Sequence, residues 1–279
     1  MANPIMALIQ MEILEEKNRN LEKAQIMIEK ASEQGANIVV LPEMFNCPYI
    51  SSVFPIYAEK SGDISWEILS KCAREANVYL VGGSIPEWED GKVYNTCYMF
   101  SPQGDEIAKH RKMHLFDIDV LGGQQFKESE TLSPGNKITL VDTHFCKIGI
   151  GICYDIRFSE FSRILALNGA KIIIFPAAFN MTTGPVHWEM SFRMRALDNQ
   201  VFVAGCSPAR NVKANYVSYG HSIITSPWGE SIHALKEKEG ILIQEIELNK
   251  IDRVRKELPL LEHRREDIYA FTDKTRNDL

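Results

Sequence analysis

Two similar α/β half-domains, packed sheet against sheet as a four-layer α-β-β-α sandwich, are what the sequence predicts, on three observations. Short apolar runs of strand length alternate with stretches of helical period. The run Ile38-Val-Val-Leu41 shows no polar alternation, as in a strand covered on both faces. Blocks of sequence recur in one order in the two halves of the chain.

Along the chain, Ile5 to Met11 is short and apolar and reads as a strand. Leu21, Ala24, Ile28 and Ala31 then mark one face of a helix that stops near Gly35. Pro42 ends the next strand, so Glu43 projects from a strand end. A helix over Ile64 to Ala76 leads to a strand at Val78 to Gly83, and another strand covers Tyr94 to Phe100 before the turn Ser101-Pro-Gln-Gly104. The basic segment His110-Arg-Lys-Met-His114 follows. Leu115 to Pro134 has no sustained period and reads as a long loop, a length often functional.

After Gly135 the pattern restarts. Gly35-Ala-Asn-Ile-Val-Val-Leu-Pro-Glu-Met-Phe-Asn46 resembles Gly169-Ala-Lys-Ile-Ile-Ile-Phe-Pro-Ala-Ala-Phe-Asn180, and Val78-Tyr-Leu-Val-Gly-Gly-Ser84 resembles Val201-Phe-Val-Ala-Gly-Cys-Ser207. Ser101-Pro-x-Gly104 resembles Ser226-Pro-x-Gly229. Offsets of about 120 to 135 residues are too long for a solenoid and imply two half-domains. The organisation expected is one domain over 1–279, with a pseudo-repeat of about 1–134 and 135–247 and a C-terminal arm over 248–279. One mismatch is informative: Glu43 has Ala177 as its counterpart. A carboxylate that the sheet does not need in one half suggests chemistry in the other.

A net charge of −6 gives no electrostatic reason to expect nucleic acid or an anionic membrane as partner. No apolar stretch approaches the roughly 20 residues that span a bilayer, and no secretory leader is evident. The expected location is therefore intracellular: cytoplasmic, with mitochondria as a second compartment. The six cysteines are widely spaced and include no CxxC, so reduced thiols are expected rather than disulfides or a zinc site.

The stretch Lys147-Ile-Gly-Ile-Gly-Ile-Cys-Tyr-Asp-Ile-Arg-Phe158 reads as a strand running into a helix, with Cys153 at the turn. A thiol just before a helix N-terminus would face free N–H groups and the positive end of the dipole, which favour thiolate and can bind an oxyanion. A buried core cysteine is the plain alternative. A thiol nucleophile acting on a carbonyl needs a base and a cation or N–H donors. Glu43 and Lys112 are the candidates, each with an ordinary reading as a loop carboxylate or a solvated charge. Papain-like sequence around the cysteine, a dinucleotide fingerprint, a Walker A loop and a G-x-S-x-G elbow are all missing. His110 and His114 have metal-pair spacing, but Lys109, Arg111 and Lys112 would repel a cation, so no metal and no cofactor are expected.

Leu41-Pro-Glu43, His110-Arg-Lys112 and Gly151-Ile-Cys153-Tyr-Asp-Ile-Arg157 resemble, in order and spacing, the three motifs of the nitrilase superfamily of carbon–nitrogen hydrolases. Within it the chain is most similar to the ω-amidase branch, through Phe45-Asn-Cys-Pro-Tyr49, Lys112-Met-His-Leu-Phe-Asp-Ile-Asp119, Phe126-Lys-Glu128, Leu132-Ser-Pro-Gly135 and Phe179-Asn-Met-Thr-Thr-Gly-Pro185. It departs from that branch at Cys47 and Ile50, where Ser and Gly are usual, and at Leu121, where Pro is usual. The resemblance implies Cys153 as nucleophile, Glu43 as general base and acid, Lys112 as the cation supporting the tetrahedral intermediate, and Glu128 as a second carboxylate beside the nucleophile. It further implies a small-molecule amide as substrate, with α-ketoglutaramate and α-ketosuccinamate foremost. Another superfamily amidase, acting on deaminated glutathione or N-carbamoyl compounds, and a silent scaffold are the alternatives. For substrate binding, Tyr49, Tyr154, Arg157, Phe179 and Thr183 lie in family-matching segments. Homodimerisation through about Phe158 to Ala166 and the C-terminal arm is a further expectation.

Overall fold

The computed structural model describes residues 3–275. Its first part runs β1 (Ile5–Gln10), α1 (Lys17–Glu33), β2 (Ile38–Val40), α2 (Phe54–Tyr57), α3 (Ile64–Ala76), β3 (Tyr79–Val81), β4 (Ile85–Glu89), β5 (Lys92–Phe100) and β6 (Glu106–Arg111). A small hairpin, β7 (Asp117–Asp119) and β8 (Gln125–Lys127), follows. The second part runs β9 (Thr139–Asp142), β10 (Lys147–Ile150), α4 (Ser159–Leu167), β11 (Ile172–Pro176), α5 (Gly184–Asn199), β12 (Phe202–Cys206), β13 (Ile223–Thr225), β14 (Ser231–Ala234), β15 (Gly240–Glu245) and α6 (Asn249–Glu257).

The strands form a seven-stranded sheet in the order β15-β1-β2-β3-β5-β4, with β6 also on β5, and a six-stranded sheet in the order β14-β13-β12-β11-β10-β9. At the heart of each lie three parallel strands, β1-β2-β3 and β10-β11-β12, flanked by antiparallel neighbours. Alternate residues of the first sheet serve two layers. Met6, Leu8, Ile38, Val40 and Val81 meet Ile148, Ile150 and Ile174 in the core between the sheets. Ala7, Ile9, Val39 and Leu80 pack outward on Leu21, Ala24, Ile28 and Leu69 of α1 and α3. On the far side, α4 and α5 cover the second sheet through Phe161, Leu165, Trp188 and Phe192. This is the helix, sheet, sheet, helix layering that the sequence predicts.

The recurring blocks occupy like places. Asn77 and Gln200 end α3 and α5 in the left-handed conformation at φ 53° and 50°. Gly104 and Gly229 close the two Ser-Pro turns, their N–H groups donating to Ser101 and Ser226 at 2.9 and 2.8 Å. One strand crosses the expected boundary. β15, inside the segment assigned to the second half, pairs antiparallel with β1 from Ile5↔Glu245 to Gln10↔Gly240 and so completes the first sheet.

Three local expectations change. The basic segment is reached by a strand, β6, which the charged Glu106-Ile-Ala-Lys-His-Arg run disguises because all of its residues but His110 keep some exposure to solvent. The stretch expected as a loop holds β7, β8 and a 3-10 turn at Glu128–Glu130. Between β10 and α4 lies a 3-10 turn, Cys153–Arg157, so Cys153 does not stand at the N-terminus of α4.

Candidate active site

Glu43 leaves the end of β2 in a turn held from the segment between β3 and β4: Met44, at φ 50°, donates its N–H to Ser84 Oγ at 3.0 Å, and Phe45 donates to Ser84 O at 3.1 Å. Lys112 follows β6 directly and extends its pairing, its N–H donating to Asn95 O on β5 at 2.9 Å. Glu128 opens the 3-10 turn after β8. Cys153 follows β10, past Gly151, whose N–H donates to Ile174 O at 3.0 Å; a Cβ on Gly151 would lie 2.5 Å from the Phe175 ring.

These four side chains converge and are shut off from solvent, Cys153 being 3% exposed and Glu43, Lys112 and Glu128 0%. Lys112 Nζ donates to Glu43 Oε1 at 2.9 Å and to Glu128 Oε1 at 2.8 Å. Three N–H bonds radiate from an ammonium, so one is left for another acceptor. Glu43 Oε1 also accepts Asn95 Nδ2 at 2.9 Å, and Glu43 Oε2 accepts the Ala178 N–H at 2.8 Å. Glu128 Oε2 accepts the Phe116 N–H at 2.7 Å. The Tyr49 hydroxyl lies 2.7 Å from Glu128 Oε1 and 3.1 Å from Glu43 Oε1 and bridges the two carboxylates.

Burial raises the Glu43 carboxyl above the usual range; Lys112 opposes the rise and the Glu128 charge adds to it. Burial also raises the Cys153 thiol well above its ordinary value, and the neighbouring Glu43 charge adds to this against Lys112 and the Ala178 N–H. Burial and the Glu43 charge thus work against the thiolate that a helix terminus would favour, and Glu43 stands beside the sulfur, placed to take its proton. Burial works against the Lys112 ammonium, but Glu128 and Glu43 outweigh it and keep the lysine charged.

A cavity of about 230 Å³ opens beside Glu43, walled by Tyr49 and Tyr216 and by Cys47 and Ile50, two of the departures noted in the sequence. The third, Leu121, stands fully exposed on the β7–β8 hairpin. Tyr216 is fixed by donating to Ala178 O at 2.5 Å, and its ring lies 4.5 Å from that of Tyr49.

The remaining sequence candidates form a separate group. The Arg157 guanidinium lies over the rings of Phe179 at 4.8 Å and Tyr154 at 5.7 Å. It meets His187 Nδ1 at 3.1 Å, and the His187 pKa is lowered by its partial burial and by the Arg157 charge. The Tyr154 ring packs edge-on against Phe116 and Phe158. Its N–H belongs to the first turn of the 3-10 segment, where no intrahelical acceptor exists. Thr183 is less available, since its hydroxyl is 3.2 Å from Asn180 Oδ1 at the start of α5.

Asn95, Ala178, Asp155 and Tyr216 escape the sequence reading. Asn95 left one signal, an amide inside the apolar run Val93 to Phe100. His110 and His114 are not a free metal pair, because both rings meet Asp155. Among the described residues no cluster of three or more potential ligands could hold a metal ion.

A buried thiol, an adjoining carboxylate and an ammonium with a spare N–H suit acyl transfer through sulfur, with a glutamate in place of the usual histidine base. On an α-β-β-α sandwich this defines a class of thiol hydrolases. The carbon-nitrogen hydrolase family model matches residues 5–256, and the chain belongs to that family, the nitrilase superfamily, whose members hydrolyse carbon–nitrogen bonds other than peptide bonds. It is 51% identical over 274 residues to omega-amidase NIT2-A of Xenopus laevis, covering 98% of this chain and 99% of the relative. With omega-amidase NIT2 of Mus musculus it shares 49% over 269 residues, 96% and 98% of the two chains. The crystal structure of Nit3 from Saccharomyces cerevisiae, a member of branch 10 of the nitrilase superfamily, superimposes with a TM-score of 0.88 at 42% identity, over 95% and 97% of the two chains.

Proposed function

We propose that the chain is an ω-amidase that hydrolyses the terminal amide of a small dicarboxylic acid monoamide, such as α-ketoglutaramate or α-ketosuccinamate, to the acid and ammonia. The observation that carries this reading is the buried Glu43–Lys112–Cys153 cluster; Arg157, which has no carboxylate within ion-pair distance among the described residues, is the candidate for the distal carboxylate. Near-half identity over almost the whole length to relatives named omega-amidase supports it.

In the proposed mechanism Glu43 accepts the Cys153 proton as sulfur attacks the amide carbon. The third N–H of Lys112 and the Tyr154 N–H receive the oxyanion. Glu43 returns the proton to nitrogen, the C–N bond breaks, ammonia leaves and a thioester remains. Water then enters, gives its proton to Glu43 and adds to the thioester. The second tetrahedral intermediate collapses with return of the proton to sulfur, releasing the acid. Glu128 and Tyr49 hold Glu43 and Lys112 in place. Arg157, with Tyr154 and Phe179 beneath it, takes the distal carboxylate.

The test is ammonia release from α-ketoglutaramate, succinamate, glutamine, deaminated glutathione and a simple nitrile, with Cys153→Ala beside the wild type. Cys153-dependent turnover of the first two supports the reading. Preference for deaminated glutathione moves the substrate, and full activity of Cys153→Ala overturns the nucleophile.

A homodimer belongs to the same proposal. The α4 candidate has spent its apolar side inward, with Phe161 and Leu165 buried, whereas Val186, Met190 and Met194 form an exposed stripe at helical spacing on α5. Ile268, Tyr269 and Phe271 of the arm are exposed as well; the arm's last residues, 276–279, lie outside the described part. Sedimentation of Met190→Glu/Met194→Glu against wild type checks it. A cytoplasmic location, with a mitochondrial share, suits six free cysteines, five of them buried.

A further inference from the structure

We propose that Asp155 is the positioning residue of the site, tying the turn that carries the Cys153 sulfur to the strand end that carries the Lys112 ammonium. The proposal rests on the reading of Cys153 as nucleophile.

Asp155 is fully buried. Its Oδ2 accepts the N–H of Ile152, the residue before Cys153, at 2.9 Å, and meets His110 Nε2 at 3.2 Å. Its Oδ1 accepts the backbone N–H of His114 at 3.0 Å and meets His114 Nδ1 at 2.7 Å. His110 and His114 stand two residues to either side of Lys112. One carboxylate thus grips both flanks of the cation and the residue preceding the nucleophile. The two segments belong to different sheets, β6 to the first and β10 to the second, so this grip crosses the interface between half-domains.

The rest of the network fixes the rings. A carboxylate only accepts, so His114 carries a proton on Nδ1 and His110 on Nε2. The other ring nitrogen of His110, Nδ1, lies 2.9 Å from the Thr139 hydroxyl, and the His114 ring stacks on Phe158 at 3.7 Å. Burial alone would raise the Asp155 carboxyl; the hydrogen bonds from His110 and His114 prevail and hold it well below the usual carboxylate range. Cys153 needs such a brace. At φ 44° it occupies a left-handed backbone region that is unfavourable for a non-glycine residue and persists only where the surroundings over-determine it.

The test compares Asp155→Asn, His114→Phe and His114→Asn with wild type. Each is followed by steady-state kinetics and by the rate at which iodoacetamide alkylates Cys153 in the folded protein, read by mass spectrometry. Asp155→Asn is expected to lower kcat about 100-fold, the scale of an ångström misplacement of reacting groups, with KM held within about threefold. His114→Phe keeps the stack on Phe158 but has no donor, and should lose about tenfold in kcat, near the cost of one hydrogen bond to a charged group. His114→Asn puts an N–H where Nδ1 was and should recover most of it. Cys153 alkylation should fall and recover in the same order. That readout needs no amide substrate, so a wild type that hydrolyses none of the amides defeats the ω-amidase reading and leaves this comparison decisive. Wild-type kcat and alkylation in Asp155→Asn overturn the proposal. If Asp155→Asn does not fold, a His114→Phe variant equal to wild type overturns it instead.

Discussion

The Oε2 atom of Glu43 accepts the backbone N–H of Ala178 at 2.8 Å, and these two residues come from matching strand ends, just beyond β2 and just beyond β11. The carboxylate of one half-domain is thus aimed by the backbone of the other. Where one half bears Glu43, the other bears Ala177, and its next N–H completes the site. The pseudo-symmetry of the sheets therefore brings a base and its orienting donor together.

Lys112 is the counter-charge of two buried carboxylates, and its removal should be costly for stability as well as for activity. Lys112→Met is expected to lose about 3–5 kcal/mol, as when one partner of a buried ion pair is deleted. Adding Glu128→Leu should return part of that stability without restoring turnover, because one of the two uncompensated carboxylates is then gone. Urea unfolding of both variants checks this; a single variant as stable as wild type would contradict it.

The acid limb of Cys153 reactivity should lie above pH 4.5, the ordinary glutamate value, because burial and then the Glu128 charge raise Glu43 while it must be ionised to accept the thiol proton. Glu128→Gln removes that charge and should move the limb to lower pH, measured as alkylation rate against pH. The stability effect has the opposite dependence. Glu43 and Cys153 both bind protons more tightly folded than unfolded, so their contribution is full below the unfolded pKa and is lost as pH rises through the raised values, beginning near 4.5 for Glu43 and near 9.0 for Cys153.

Arg157→Lys should raise KM for a keto acid amide by about tenfold while leaving an uncharged amide unaffected, because lysine loses the planar fork and the stacking over Phe179. Equal loss on both substrates would make Arg157 a structural residue.

Gly83 supports the turn that carries Glu43. At φ 61° a Cβ there would lie 2.2 Å from Pro42 O, whereas Gly122, at φ 71°, has nothing within 4 Å. Gly122→Ala should cost only the left-handed strain, about 1–2 kcal/mol. Gly83→Ala should cost clearly more and should lower activity by moving Glu43. Thermal melts of the pair separate strain from collision.

Part of this was legible along the chain. The helix Ile64–Ala76 has its expected bounds, because apolar period and the stop at Asn77 are local signals. Glu43 and Cys153 stand at strand ends as read, since Pro42 and the Ile-Gly alternation mark where those strands finish. Strand β6 did not announce itself, because an edge strand with a solvated face carries charges like a loop.

By itself the sequence determined the alternation of strands and helices, the doubled half-domain and the residues fit for thiol chemistry, because apolar period, turn residues and side-chain type are written locally. Only the tertiary structure decided that β15 joins the first sheet, that Tyr49 spans Glu43 and Glu128, that Asp155 grips both flanks of Lys112, and that burial works against the Cys153 thiolate. Each of these depends on which distant segments become neighbours and how completely water is removed between them, and both arise from the packing of the whole chain.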